Sequence, residues 1–181
     1  MSELIESIFR EYDIRGIFPD ELNEDSIAKI AQSIAHKCNK ESVDEVVIAR
    51  DGRLSGPSLL ESLQKSLNAN GINTINLGLA TSPLLYYAAK KQPSKSGIMI
   101  TGSHNPKNYN GIKLVIDDKP VSGTEIFGLS KTDISSGDSK GENRFLDIKD
   151  DYITEVKNSF NFKKFKVVID CGNGAAGIIA P

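Results

Sequence analysis

Apolar runs of strand length alternate with segments of helical period, and that alternation restricts the chain to an α/β layer architecture. Ile27, Ile30, Ala31, Ile34, Ala35 and Cys38 recur at helical spacing, which predicts an amphipathic helix over 24–38. Val43 to Ala49 is a β-branched run of strand type. Gly56-Pro57 opens a second helix, with Leu59, Leu60, Leu63 and Leu67 as its apolar set and Asn70-Gly71 at its end. Ile72 to Leu77 follows as a strand. Ser82 reads as the N-cap of a third helix, with Pro83 at the first helical position. That helix runs through Tyr86, Tyr87 and Ala88 and ends before Pro93. Strands over 97–101 and Gly111 to Ile116 complete the set. Too few residues separate those two for a crossover helix, so the second is expected to lie antiparallel to the first in a mixed, largely parallel sheet.

Beyond this set, residues 132–143 are rich in Ser, Gly, Asp and Lys and read as a surface loop. Ile148 to Phe160 reads as a helix leading out of the domain, and Lys166 to Asp170 as the start of a new strand. Ending a few residues into a new βα unit, at Pro181, the chain reads as part of a longer polypeptide. Lys plus Arg total 22 against 24 Asp plus Glu, a net charge of -2, which argues against a nucleic-acid binder. Cys38 and Cys171 lie far apart, match no metal-ligand spacing, and read as reduced thiols. The acidic stretch Met1 to Asp13 is not a secretory signal, and nothing approaches a membrane span, so a cytoplasmic location is expected.

Four polar segments interrupt the periodic elements: Arg10 to Gly16, Arg50-Asp51-Gly52-Arg53, Thr101-Gly102-Ser103-His104-Asn105-Pro106, and Asn110 to Lys113. In an open α/β sheet, ligands collect at the carboxyl ends of strands, where the second and third of these fall. Gly102 lets another group approach the backbone and Pro106 stiffens the turn, so the Ser103 hydroxyl is expected to be presented. Arg15, Arg50, Arg53 and Lys113 are candidate cations for an anionic substrate, above all a phosphate. Plainer readings stand beside these. A serine in a turn is usually a local hydrogen-bonder, and Arg50 to Arg53 equally fits a turn with a surface ion pair. His36 falls on the polar side of its helix, whereas His104 adjoins Ser103 in a loop without periodicity. A hydrolase elbow needs glycine two residues either side of the serine, where Thr101 and Asn105 stand, so a Ser-His-Asp hydrolase is not expected. Gly172 to Gly177 matches G-x-G-x-x-G, a weak dinucleotide signal that a glycine-rich turn explains as well.

Taken in order, residues 8–17, Ala49 to Pro57, Thr101 to Pro106, Asn110 to Leu114 and Val167 to Gly177 resemble the α-D-phosphohexomutase family. More narrowly, they resemble its bacterial phosphomannomutase/phosphoglucomutase branch. Glu11-Tyr12-Asp13-Ile14-Arg15-Gly16, and Gly102 before the serine, separate the chain from the phosphoglucosamine mutases. The resemblance implies a three-layer α/β/α sandwich with a mixed, mostly parallel sheet. It makes 1–160 the family's first domain, carrying the phosphoserine loop, and 161–181 the start of a second. Residues 172–177 become a structural turn.

The resemblance further implies that Ser103 is a phosphoserine exchanging its phosphoryl group with hexose 1- and 6-phosphates through a bisphosphorylated sugar. Arg15 and Lys113 would flank the transferring group and assist proton transfer. His104 would hold the loop or touch sugar oxygens, and Tyr12 would contact substrate. Mg²⁺ would be bound through the Ser103 phosphate, its aspartate ligands lying in a second-domain loop absent here, and hexose 1,6-bisphosphate would serve as activator. The expected partners are a phosphosugar and the remaining domains of the same polypeptide, with no nucleic acid and no membrane. The 181 residues alone are expected to lack mutase activity. The competing readings are a phosphoglucosamine mutase, a non-catalytic sugar-phosphate-binding domain, and a nucleotide-dependent enzyme built on 172–177.

Overall fold

A capping box starts the first helix. The Asn23 side chain accepts from the Ser26 amide at 3.0 Å, and Ser26 Oγ accepts from the Asn23 amide at 2.8 Å. From there α1 (Glu24–Lys40) buries Ile27, Ile30, Ala31, Ile34 and Cys38 along one face. The computed structural model describes residues 4–132, 140–161, 163 and 165–181. Its elements run β1 (Ile14–Ile17), α1, β2 (Glu45–Arg50), α2 (Gly56–Ala69), β3 (Asn73–Leu79), α3 (Ser82–Lys91), β4 (Gly97–Ile100) and β5 (Tyr109–Ile116). Then follow β6 (Lys119–Val121), α4 (Gly123–Ser130), β7 (Asn143–Phe145) and α5 (Lys149–Asn158).

The strands form one sheet in the order β1-β5-β4-β2-β3-β7, with β6 also paired to β5. β2 lies parallel to β3 and β4, and β3 parallel to β7. β5 is antiparallel to β1, β4 and β6, so it alone among the described strands runs against the rest. That is the antiparallel neighbour expected from the short connection after the serine. β1 pairs with β5 over Tyr109 to Ile112 and β6 over Leu114 to Ile116, so the two share one edge of β5 end to end.

Both faces of the sheet are covered, giving the expected three layers. On one side Val46 and Ile48 of β2, with Ile98 and Ile100 of β4, pack against α1, α2 and Ile126 of α4. On the other, Val47, Ala49 and Met99 meet Leu84, Leu85, Ala88 and Ala89 of α3. Each fully buried leucine or isoleucine contributes about 1.5–3 kcal/mol relative to an exposed one. Burial pushes the Cys38 thiol up to about 12, which leaves it inert.

Several boundaries depart from expectation. The third helix is capped by Thr81, not Ser82. Thr81 has extended backbone and its Oγ1 accepts from the Leu84 amide at 3.3 Å, so Ser82 is already helical and Pro83 occupies the second position. Thr81→Ala is therefore expected to cost about 1 kcal/mol in urea unfolding, and Ser82→Ala less than about 0.5 kcal/mol. Equal costs would contradict that assignment. β1, β6 and α4 were not anticipated, being short or, in β1, masked by charged and glycine residues. Of the expected loop over 132–143, residues 133–139 lie outside the described residues, and Asn143 already belongs to β7. Residues 166–170 form no strand. No described strand lies beside them, so their amides lack a ladder and Val167, Val168 and Ile169 stand exposed. No helix among the described residues is long and apolar enough to cross a membrane.

Candidate active site

The carboxyl ends of β2, β3 and β4 share one edge of the sheet, and β5, being reversed, starts there. A cleft of about 990 Å³ opens along that edge, bordered by Asp51, Arg53, Thr81, Thr101, Ser103 and Lys107. The serine loop joins β4 to β5 across it. Ser103 is exposed, as expected, and its φ of 53° puts it in the left-handed region. For a residue with a Cβ that conformation costs on the order of 1–2 kcal/mol and persists only where neighbours impose it.

Those neighbours come from the segment after β2. Asp51 Oδ2 accepts from Thr101 Oγ1 at 2.8 Å and from the Gly102 amide at 3.1 Å. Thr101 Oγ1 in turn accepts from the Ser103 amide at 2.9 Å. Arg53 donates through Nη2 to the carbonyls of Ser103 (3.1 Å) and Asn105 (2.7 Å). Through Nη1 it donates to those of Pro106 (2.6 Å) and Tyr109 (2.8 Å). Its Nε lies 3.3 Å from Asp51 Oδ2, an ion pair that falls short of hydrogen-bond geometry. The guanidinium lies over Gly102, where a Cβ would overlap it. Arg53 is thus not a free substrate cation, as the sequence suggested, because its four Nη hydrogens are taken by the loop backbone. Arg50 also turns to the main chain, donating to the Asp51 carbonyl at 2.9 Å. The ion pair seen as a possible surface turn exists, but it is largely buried and supports the loop.

Arg15 reaches the loop from the other side. It is buried on β1, opposite Gly111, and its Nη1 donates to Asn105 Oδ1. Its Nη2 pairs with Asp13 Oδ2 at 2.5 Å, while its buried Nε has no protein acceptor. Asp13 Oδ2 also lies 3.6 Å from Lys113 Nζ, so one carboxylate links the two cations that the sequence singled out. Asp13 is held by a tight turn in which the Arg10 amide donates to its carbonyl at 2.8 Å. Lys113 and Tyr12 border a separate hollow of about 390 Å³ with Tyr86, Lys90 and Lys95, and Tyr12 is largely exposed. The structure therefore ties Arg15 to Asn105 of the serine loop, joins Lys113 to Arg15 through Asp13, and sets Tyr12 at a separate hollow. His104 is exposed and has no hydrogen bond among the described residues, so the loop is held by Asp51 and Arg53 rather than by His104. The sequence reading missed Asp51, Thr101, Asn105 and Asp13 as supports. Only their positions beside singled-out residues could have flagged them.

No group of three or more His, Cys, Asp or Glu among the described residues is arranged to hold a metal ion. The carboxylate bonded to the serine loop, Asp51, already accepts from Thr101, Gly102 and the Arg53 amide. The residues present therefore do not build a Mg²⁺ site by themselves. Nor does 172–177 meet the structural demand of a dinucleotide site. No strand precedes it and only a 3₁₀ turn, Ala175–Ile178, follows, though Asn173 to Ala175 border the serine cleft.

An exposed, backbone-strained serine stands at the strand edge of a three-layer α/β/α sandwich, its loop held by the buried Arg15 and the partly buried Arg53. The chain belongs to the phosphoglucomutase/phosphomannomutase family: the family's α/β/α domain I matches residues 6–129. It is 41% identical to a phosphomannomutase/phosphoglucomutase of Pseudomonas syringae pv. tomato, over 98% of this chain and 39% of that protein. It is 37% identical to a phosphoglucomutase of Neisseria gonorrhoeae, over 99% and 40%. Among solved structures, a phosphoglucomutase/phosphomannomutase family protein of Burkholderia thailandensis superposes with a TM-score of 0.91 at 34% identity. That match covers 98% of this chain and 41% of the other. The chain spans about two fifths of the length of these relatives.

Proposed function

We propose that this chain is the phosphoryl-carrying part of a phosphohexomutase that interconverts hexose 1-phosphates and hexose 6-phosphates, of mannose, glucose or both. The observation that supports it most is the state of Ser103. Its hydroxyl is exposed in the cleft, its amide and carbonyl are both tied down, and a buried arginine binds the loop two residues away. In this reading phosphorylated Ser103 loses its phosphoryl group to a free hydroxyl of the sugar phosphate. The P–Oγ bond breaks as the P–O(sugar) bond forms, and the proton of the sugar hydroxyl ends on Ser103 Oγ. The bisphosphorylated sugar turns over in the cleft, and its other phosphoryl group returns to Ser103. Catalysis of this kind is mostly positioning and charge stabilisation. Arg15 is permanently charged and acts electrostatically, with Lys113 coupled to it through Asp13. Tyr12 and His104, both exposed, are the residues free to meet the sugar.

The same reading assigns 1–160 to a first domain and 161–181 to the start of a second. It includes Mg²⁺, to which this chain would offer one oxygen of the Ser103 phosphate, and hexose 1,6-bisphosphate as activator. The test is incubation of the complete polypeptide with hexose 1,6-bisphosphate, followed by mass analysis of the tryptic peptide Ser96 to Lys107. A phosphoryl group there, together with turnover of mannose or glucose 1-phosphate, is expected. Sugar-phosphate binding with no phosphoryl group on that peptide would point instead to a non-catalytic binding domain. Residues 1–181 alone are expected to show no interconversion, and measurable turnover by them would defeat the proposed division of labour.

A further inference from the structure

The Asp51–Arg53 pair touches the serine loop at six points, and they take up both Nη groups of Arg53. The four Nη hydrogens of Arg53 meet four main-chain carbonyls, those of Ser103, Asn105, Pro106 and Tyr109. Asp51 takes the Thr101 hydroxyl, the Gly102 amide and, at its other oxygen, the Arg53 amide at 3.0 Å. The remaining Arg53 donor, Nε, faces Asp51. Both side chains are less than one-fifth exposed, so these charge-assisted bonds form in a site of reduced dielectric. The carbonyl of Ser103 is one acceptor in this array, and its left-handed φ is the conformation the array must hold.

We infer that Arg53, anchored by Asp51, is the positioning residue that fixes where the Ser103 phosphoryl group stands, and that it does not bind substrate. The inference rests on the reading of Ser103 as a phosphoryl carrier. The planar fork of a guanidinium reaches four separated carbonyls. A lysine ammonium is a point donor with three hydrogens and cannot span them. Without the fork, Ser103 is free to leave its left-handed backbone, and the hydroxyl moves with it. A shift of about 1 Å at a reacting group costs on the order of 10²-fold in rate.

The experiment compares Arg53→Lys and Asp51→Asn with the wild-type complete polypeptide, reading steady-state kinetics and amide hydrogen exchange over 101–109. The expected result is a kcat lower by about 100-fold in Arg53→Lys, with KM within about threefold of wild type. Exchange at the Gly102 and Ser103 amides should rise at least tenfold, while the amides of β2 and β4 stay protected. Asp51→Asn should move both readouts in the same direction, and it carries the test if the Arg53 variant does not fold. A raised KM with kcat intact would make Arg53 a substrate ligand and overturn the inference. A fall in kcat without faster loop exchange would also overturn it, as would no change in either. If the wild-type polypeptide showed no interconversion, the phosphoryl-carrier reading would fail by itself, and the exchange data alone would decide whether Arg53 holds the loop.

Discussion

Ser103→Ala in the complete polypeptide is expected to abolish sugar-phosphate interconversion while leaving the fold untouched. Ser103 is exposed, and its loop is held through its amide and carbonyl, which alanine retains. The stability change should stay within about 0.5 kcal/mol. Activity should fall roughly 10⁴-fold or more, because in the proposed reading the group that carries the phosphoryl between half-reactions is gone. Thr101 is no substitute, since its hydroxyl is buried and donated to Asp51. The checks are a coupled assay in both directions and the phosphoryl content of the peptide 96–107. A variant retaining a tenth of wild-type turnover would place the carrier elsewhere.

Gly111→Ala is expected to produce a large loss of stability from a single added methyl group. Gly111 on β5 stands opposite Arg15 on β1, and a Cβ there would overlap the Ile14 carbonyl oxygen and lie 3.2 Å from that of Thr101. Both obstacles are main-chain atoms of elements pinned on either side. The Thr101 amide donates to the Gly111 carbonyl at 2.9 Å, and β1 is fixed by its ladder to β5. Neither can swing aside as a side chain would, so relief requires β1 to separate from β5. The expected cost is about 3 kcal/mol, at the upper end for overpacking. For a domain of this size that corresponds to a fall of about 6–12 °C in melting temperature. Because β1 carries Arg15, activity should fall with stability. A melting temperature within 2 °C of wild type, allowing about 2–4 °C per kcal/mol, would show that the strand spacing is not set by this glycine.

The central layers were legible because their burial is two-sided or strongly periodic. β2 alternates Val46 and Ile48 toward one helical layer with Val47 and Ala49 toward the other, so its sequence is an unbroken apolar run. The helical period of α1 and α2 is equally plain. β1 was not legible, because Ile14-Arg15-Gly16-Ile17 shows neither alternation nor an apolar run. Its arginine is buried only because Asp13 and Asn105 lie there to receive it. Residues 166–170 failed in the opposite sense: the composition of a strand is present and the neighbour that would make it one is not. In the site, residue identity gave the serine and the cations, but roles depend on where donors point. Arg53 and Arg15 look alike in sequence. One spends both Nη groups on carbonyls of the main chain, the other gives them to the side chains of Asn105 and Asp13.

The acceptors that Arg53 uses are main-chain oxygens, which every amino acid supplies. The clamp therefore reads the path of the loop and is blind to the side chains displayed on it. Residues 103, 105, 106 and 109 could each change identity and present the same carbonyl to the same donor. Architecture and chemistry are thereby uncoupled at this edge: the pair after β2 carries the shape, and the loop is left free to vary what it offers to the cleft. A lineage built on this domain could alter what its loop displays without redesigning its frame.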